Sequence, residues 1–138
     1  MTISRDAAER LRAAGLLWRP RAGDRFAVLS DALAEDVFTV SDMVVERHDY
    51  ASGTILGFNG TTEWALDSVP VEDTLWLPRE DQLRELLGPA FRSLARSTMG
   101  WYQVLVEIPG HPEQVFDSEN PADAYAEALL TLVRAAID

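Results

Sequence analysis

The chain contains no lysine and no cysteine, and these two absences exclude several kinds of chemistry. Without lysine there is no amine for a Schiff base and no ammonium group for a phosphate-binding loop, so nucleotide hydrolysis of the P-loop type is excluded. Without cysteine there is no thiolate nucleophile, no disulfide and no zinc–thiolate site. The sequence also lacks the G-x-S-x-G nucleophile elbow. What remains is the chemistry of carboxylates, guanidiniums, hydroxyls and two histidines.

Positive charge is scarce as well. The 138 residues include 23 Asp and Glu but only 12 Arg, which gives a formal net charge of −11. An acidic surface repels nucleic-acid phosphate and anionic lipid, so we predict no nucleic-acid partner. A basic protein partner or a cationic ligand suits this field better, and no cofactor is predicted.

Long apolar runs are missing too. No stretch approaches the roughly 20 apolar residues that span a bilayer, so we predict no membrane insertion. The first residues alternate charged and apolar side chains and lack the continuous apolar core of a secretion signal. We therefore predict a cytoplasmic protein.

The length suits one compact domain over residues 1–138. Apolar periodicity and turn residues give the order helix, strands, helix, hairpin, helix. This order predicts an α+β fold in which an antiparallel sheet of about five to six strands is accompanied by an N-terminal helix, a central broken helix and a C-terminal helix. The predicted strands lie at residues 25–29, 37–40, 43–49, 54–58, 101–108 and 114–116.

The outer two helices have clear start signals. Ser4 predicts the N-cap of the first helix, and Gly15 its end. Asn120 predicts the N-cap of the last helix, with Pro121 at its first position.

The central helix is predicted in two parts. Pro78 opens the first part, which carries Leu83 and Leu87 on its apolar face. Gly88-Pro89 interrupts it, and Pro89 then predicts the start of a second helical segment carrying Phe91 and Leu94. The sequence therefore predicts helix on both sides of the break.

One polar strand offers candidate chemistry. If residues 42–50 are extended, Asp42, Glu46 and His48 share one face, because side chains alternate along a strand. Two carboxylates and an imidazole could bind a divalent metal or support acid–base catalysis. The alternative is the solvent-facing side of an ordinary antiparallel strand.

Three tryptophans fall in three separate predicted elements. Trp64, Trp76 and Trp101 could build the core, since large aromatic side chains dominate core burial. They could instead line a pocket for a flat or cationic ligand. Both interpretations remain open from the sequence.

Two stretches are distinctive: residues 57–68, GFNGTTEWALDS, and residues 75–88, LWLPREDQLRELLG. Together they resemble a family of short actinobacterial proteins, some of which are labelled "pilus assembly protein CpaE". The resemblance implies a cytoplasmic accessory factor near a pilus secretion machine. The pilus-localising ATPases are much longer and carry a phosphate-binding lysine loop, so their nucleotide site is not carried over to any residue here. The second stretch is also similar to the W-L-P-x-x-D-Q-L segment of small phage-related proteins.

The leading hypothesis from the sequence is a non-catalytic protein that binds a protein partner. Its predicted contact residues are Trp64, Trp76, Arg79 and Gln82. The alternative is a domain that binds a small molecule, or an enzyme, using the strand of Asp42, Glu46 and His48. A cargo or regulatory role of phage origin is a third possibility, which the W-L-P similarity alone supports.

Overall fold

The structure is a computed structural model that describes residues 1–29, 36–40, 45–50, 53–58 and 68–137. For residues 45–50, 53–58, 68, 69 and 137 it describes the backbone alone. The chain forms two compact units. Unit 1 comprises Met1–Leu17 and Pro78–Asp138, and unit 2 comprises Trp18–Leu77. The prediction of one domain over residues 1–138 stays a prediction.

The described residues contain three α-helices and nine strands, together with two single 3₁₀ turns at Val71–Asp73 and Gly88–Ala90. The α-helices are α1 (Arg5–Ala13), α2 (Glu80–Leu87) and α3 (Pro121–Ile137). The strands are β1 (Arg25–Val28), β2 (Phe38–Thr39), β3 (Val45–Tyr50), β4 (Gly53–Phe58), β5 (Ser68–Pro70), β6 (Thr74–Trp76), β7 (Phe91–Arg96), β8 (Tyr102–Val106) and β9 (Gln114–Ser118).

Unit 2 holds two antiparallel sheets. Their strand orders are β2-β1-β6 and β3-β4-β5. Phe26, Val28 and Val40 are buried together, with Trp18 and Phe38 packed against them. The Phe26 ring lies 5.3 Å from the ring of Trp18 and 5.5 Å from that of Phe38, so aromatic packing anchors the first sheet.

Unit 1 combines all three helices with the third antiparallel sheet, whose strand order is β7-β8-β9. Helix α3 packs on β8 and β9, and both α1 and α2 pack on α3. The core of this unit is aliphatic except for one tyrosine. Its fully buried side chains include Leu11, Leu83, Leu87, Val104, Val106 and Tyr125.

The helix signals at both ends of unit 1 are confirmed. The Ser4 side chain accepts a hydrogen bond from the backbone N–H of Ala7 at 3.2 Å, which caps α1. Asn120 Oδ1 accepts one from the N–H of Ala122 at 2.9 Å, at the start of α3. Gly15 follows α1 with a φ of 104°, a conformation that favours glycine at a helix end.

The broad α+β class is confirmed, but the predicted sheet is wrong. The described strands form three separate three-stranded sheets instead of one sheet of about five to six strands. The strands of β7-β8-β9 belong to unit 1, and those of the other two sheets belong to unit 2. Strand-like periodicity shows which residues are extended but not which strands pair.

The second half of the predicted broken helix is also wrong. Helix α2 ends at Leu87, and Gly88 takes a φ of 56° before a single 3₁₀ turn. The chain then enters β7, where Phe91 pairs with Val106 and Leu94 with Val104. Hydrogen bonding to β8 outweighs the helical spacing of Phe91 and Leu94, because tertiary pairing overrides a weak local pattern.

Across the described residues, no helix combines the length and the apolar character needed to cross a bilayer.

Candidate functional site

The acidic strand is extended, as its hypothesis requires. Residues 45–50 form β3, in which Glu46 pairs with Gly57 and His48 with Ile55 on β4. Asp42 lies outside the described residues, and for Glu46 and His48 the backbone alone is described. The proposed metal or acid–base role of these three residues therefore stays a prediction. Within the part of the chain that the structure describes, no group of three or more His, Asp or Glu side chains could hold a metal ion.

Of the two tryptophans predicted to contact a partner, the structure describes one. Trp64 lies outside the described residues. Trp76 is half-buried in unit 2, where its ring stacks on that of Trp18 at 6.5 Å with an interplanar angle of 9°. Its indole Nε1 is buried, and no described atom accepts a hydrogen bond from it. Much of the Trp76 ring is thus used inside its own unit.

Arg79 and Gln82 are engaged at the start of α2. The backbone N–H of Arg79 donates to Gln82 Oε1 at 3.0 Å, which is one half of a capping box. The Arg79 guanidinium donates to both oxygens of Asp81, at 3.1 and 3.4 Å. This hydrogen bond is the main reason that the pKa of Asp81 is lowered from its ordinary value. Both predicted contact residues therefore help to begin a helix, and Trp76 lies in the other unit.

The sheet of unit 1 presents a surface that the sequence prediction missed. Side chains alternate between the two faces of a strand, and register partners share a face. Val104 and Val106 of β8 are fully buried on the face that meets α3. The opposite face is called the outer face here, and its residues are Ser93, Ala95, Trp101, Gln103, Leu105, Val115 and Asp117.

The outer face carries large apolar side chains that remain in contact with solvent. Trp101 is 42% exposed and Val115 is 55% exposed, while Leu105, the register partner of Val115, is half-buried. Met99, at the tip of the turn between β7 and β8, is 82% exposed. Single exposed apolar residues are common, but a group on one sheet face marks an interaction surface.

The backbone of Trp101 is held by two hydrogen bonds with Ser97. Ser97 N–H donates to the carbonyl of Trp101 at 2.7 Å, and Trp101 N–H donates to Ser97 Oγ at 3.1 Å. These bonds continue the β7–β8 pairing by one residue, and Gly100 closes the turn with a φ of 85°. Trp101 is therefore held at the start of β8 and does not enter the core, which contradicts the core interpretation for this residue.

A signal for this face was present in the sequence. Residues 101–108 are confirmed as a strand in their central part, and Trp101, Gln103 and Leu105 alternate along it. The valines between them are the buried set, so the alternation alone separates an inner from an outer face.

No protein-family model, no curated protein and no solved structure matches this chain.

Proposed function

We propose that this chain is a non-catalytic protein-binding domain and that the outer face of the unit 1 sheet is its contact surface. The observation that carries the proposal is the exposure of Trp101 and Val115 on one face, together with that of Met99 in the turn that precedes Trp101. Burying such side chains against a partner is favourable by about 25 cal/mol per Å² of apolar surface. Tryptophan is also enriched among the few residues that dominate binding energy.

The polar residues of the outer face suit the same role. Ser93 and Gln103 are uncharged, and the carboxylate of Asp117 lies on the outer strand β9. Gln103 and Asp117 are a register pair between Trp101 and Leu105, and polar side chains of this kind supply hydrogen bonds across a protein interface. The proposed setting, a cytoplasmic accessory factor of a pilus or secretion machine, rests on the resemblance of residues 57–68 and 75–88 alone.

The test is partner recovery by the tagged chain from native lysate, with quantitative mass spectrometry. Trp101→Ala and Val115→Ser should each reduce recovery of a specific partner, by about tenfold or more for the tryptophan. Leu86→Ala is the matched control, because Leu86 has the same 42% exposure but lies on α2. Equal recovery by wild type and Trp101→Ala would refute the outer face as the contact surface.

The same assay also tests the contact residues that the sequence predicted. Trp64→Ala and Gln82→Ala remove two of them and leave the sequence of the outer face unchanged. If these variants lose the partner while Trp101→Ala keeps it, the contact surface is the one that the sequence predicted.

The alternative function is small-molecule binding or catalysis at Asp42, Glu46 and His48. Its support is the extended backbone of β3, on which Glu46 and His48 are two positions apart. Titration with Mn²⁺ or Zn²⁺ would then raise the unfolding temperature of wild type but not of His48→Ala. His111→Ala is the control, because His111 is exposed and lies in unit 1. An equal shift for both histidine variants would remove this alternative.

A further inference from the structure

Strand β7 is an edge of the unit 1 sheet. It pairs with β8 on one side, and none of the described strands pairs with its other side. Every residue from Arg92 to Arg96 is exposed. An edge strand presents unpaired backbone N–H and C=O groups, which can accept an added strand from another molecule.

The pairing pattern shows which backbone groups face outward. Ser97 N–H donates to the Trp101 carbonyl, so Ser97 and Trp101 form a hydrogen-bonded pair of the antiparallel ladder. Such pairs alternate with pairs that make no ladder hydrogen bonds. Ala95 opposite Gln103 is therefore a bonded pair, and Leu94 opposite Val104 is not. The N–H and C=O of Leu94 and Arg96 thus point away from β8, toward the free edge.

The free edge is basic although the chain is acidic. Strand β7 reads FRSLAR, with two arginines and no carboxylate. The Arg92 guanidinium contacts Glu107 at 3.4 Å and the carbonyls of Pro89 and Phe91. The Arg96 guanidinium lies 5.8 Å from the centre of the Tyr102 ring, and none of the described carboxylates forms an ion pair with it. Among the described residues, therefore, no carboxylate neutralises the charge of Arg96.

We propose that the free edge of β7 binds an extended acidic segment of a partner protein as an added antiparallel strand. The proposal rests on the proposed protein-binding function and gives the chemistry of the partner. Backbone groups of Leu94 and Arg96 would hydrogen-bond the segment, and acidic side chains would pair with the arginines. The added strand would lie beside the outer face, so one partner could cover both surfaces.

A second copy of this chain fits the edge poorly. Strand β7 carries two arginines and no carboxylate, so two copies paired along this edge would bring four guanidinium groups together with no carboxylate from either strand. Like charges brought together at a strand pairing are unfavourable. A strand that carries carboxylates avoids this repulsion, and charge complementarity therefore selects the acidic partner.

The net charge of −11 does not decide this contact. At physiological salt the Debye length is about 8 Å, so distant carboxylates are largely screened while contact pairs are not. The local pairs of Arg92 and Arg96 therefore outweigh the field of the whole chain. Binding should nevertheless weaken as salt rises, because it depends on exposed charges.

The experiment is selection of a displayed library of random linear peptides on the intact protein, followed by fluorescence anisotropy with the selected peptides. In the selected peptides, Asp and Glu should be frequent and should alternate with β-branched residues. Leu94→Pro removes one outward N–H without removing a β7–β8 hydrogen bond and should weaken binding by about tenfold or more. Leu94→Ala is the matched control, because it loses the side chain but keeps the N–H.

A second variant keeps the test decisive if Leu94→Pro fails to fold. Arg96→Glu should weaken the binding of the acidic peptides by about tenfold, equal to about 1.4 kcal/mol, and should favour the binding of basic peptides. Selected pools that are neutral or basic would overturn the proposal, and so would acidic peptides that bind both variants as well as wild type. Trp101→Ala separates the two proposals. If this variant loses the lysate partner and no acidic peptide binds the wild-type protein, the outer face is supported as the contact surface and the proposal for the β7 edge is refuted.

Discussion

The backbone N–H of Ser4 donates to Oδ1 of Asp123 at 2.7 Å, which joins residues 119 positions apart. Asn120 Nδ2 donates to the carbonyl of Thr2 at 2.8 Å beside it. These contacts tie the start of α1 to the start of α3, and the ion pair of Arg10 with Glu127 joins the same helices farther along. The two sequence segments of unit 1 are therefore held together by polar contacts as well as by the buried core.

Replacing Asp123 should destabilise unit 1 measurably. Asp123→Ala removes a charge-assisted hydrogen bond to a part-buried N–H and an acidic side chain from the first turn of α3. We expect a loss of about 2 kcal/mol in the free energy of unfolding. Chemical denaturation followed by circular dichroism measures it.

Asp123→Asn is the control, because it keeps an oxygen that can accept from Ser4 N–H but loses the charge. Its cost should stay below about 1 kcal/mol. If the alanine and asparagine variants lose the same stability, the hydrogen bond to Ser4 contributes little and the helix-start charge explains the effect.

Asp24 has the same kind of role in unit 2. Its side chain is buried, and Oδ2 accepts from Trp18 Nε1 at 2.9 Å and from the backbone N–H of Arg21 at 3.0 Å. Asp24→Ala would leave these two donors without that acceptor, and we expect a loss of about 3 kcal/mol. Hydrogen exchange of the Arg21 amide reports the change locally.

The conservative variant Asp24→Asn keeps one oxygen acceptor and should lose about 1 kcal/mol. In Asp24→Ala the Arg21 amide should exchange faster than in Asp24→Asn. An Arg21 amide that exchanges at the wild-type rate in Asp24→Ala would show that the loop does not depend on this carboxylate.

Elements that begin with a capping residue or are joined by a short turn could be predicted from the sequence. Ser4 and Asn120 both bear a side-chain oxygen that accepts from a helix N–H, so α1 and α3 were placed within a residue at their starts. The β3–β4 hairpin was also placed, because two runs of strand-forming residues flank a short polar connection.

Residues 89–96 could not be predicted, for a physical reason. Pro89 is compatible with a helix start, and Phe91 and Leu94 have helical spacing, so every local signal agreed with helix. The deciding interaction is the ladder with β8, in which the partners of Phe91 and Leu94 lie 15 and 10 positions later in the chain. Non-local hydrogen bonding of this kind leaves no trace in a short window of sequence.

The candidate site was predictable only in part. The alternation of Trp101, Gln103 and Leu105 was visible, but which face would be buried depended on where α3 packs. The roles of Arg79 and Gln82 show the converse, since residues chosen for a partner are engaged within their own helix start.

We expect residues 1–138 to unfold in one cooperative transition. Unit 2 spans Trp18–Leu77, and a domain of about 60 residues is only marginally stable by itself. Differential scanning calorimetry should give a calorimetric enthalpy equal to the van't Hoff enthalpy. Two resolved transitions, one of them shifted selectively by Asp24→Ala, would instead divide the chain into two domains at the unit boundary.

Tyr125 should limit the stability of unit 1 at alkaline pH. Its side chain is buried beside the Phe91 ring, at 5.8 Å between ring centres, and burial raises the pKa of its phenol. Because the pKa is higher in the folded than in the unfolded chain, the stability from the neutral phenol is fully present below about pH 10. It is lost as the pH rises through the folded-state pKa.

The unfolding temperature of the wild type should therefore fall above about pH 10, and that of Tyr125→Phe should fall less steeply over the same range. Tyr102→Phe removes a hydroxyl from a half-buried ring and controls for that loss alone. If the unfolding temperatures of wild type and Tyr125→Phe fall equally steeply above about pH 10, another group causes the decline.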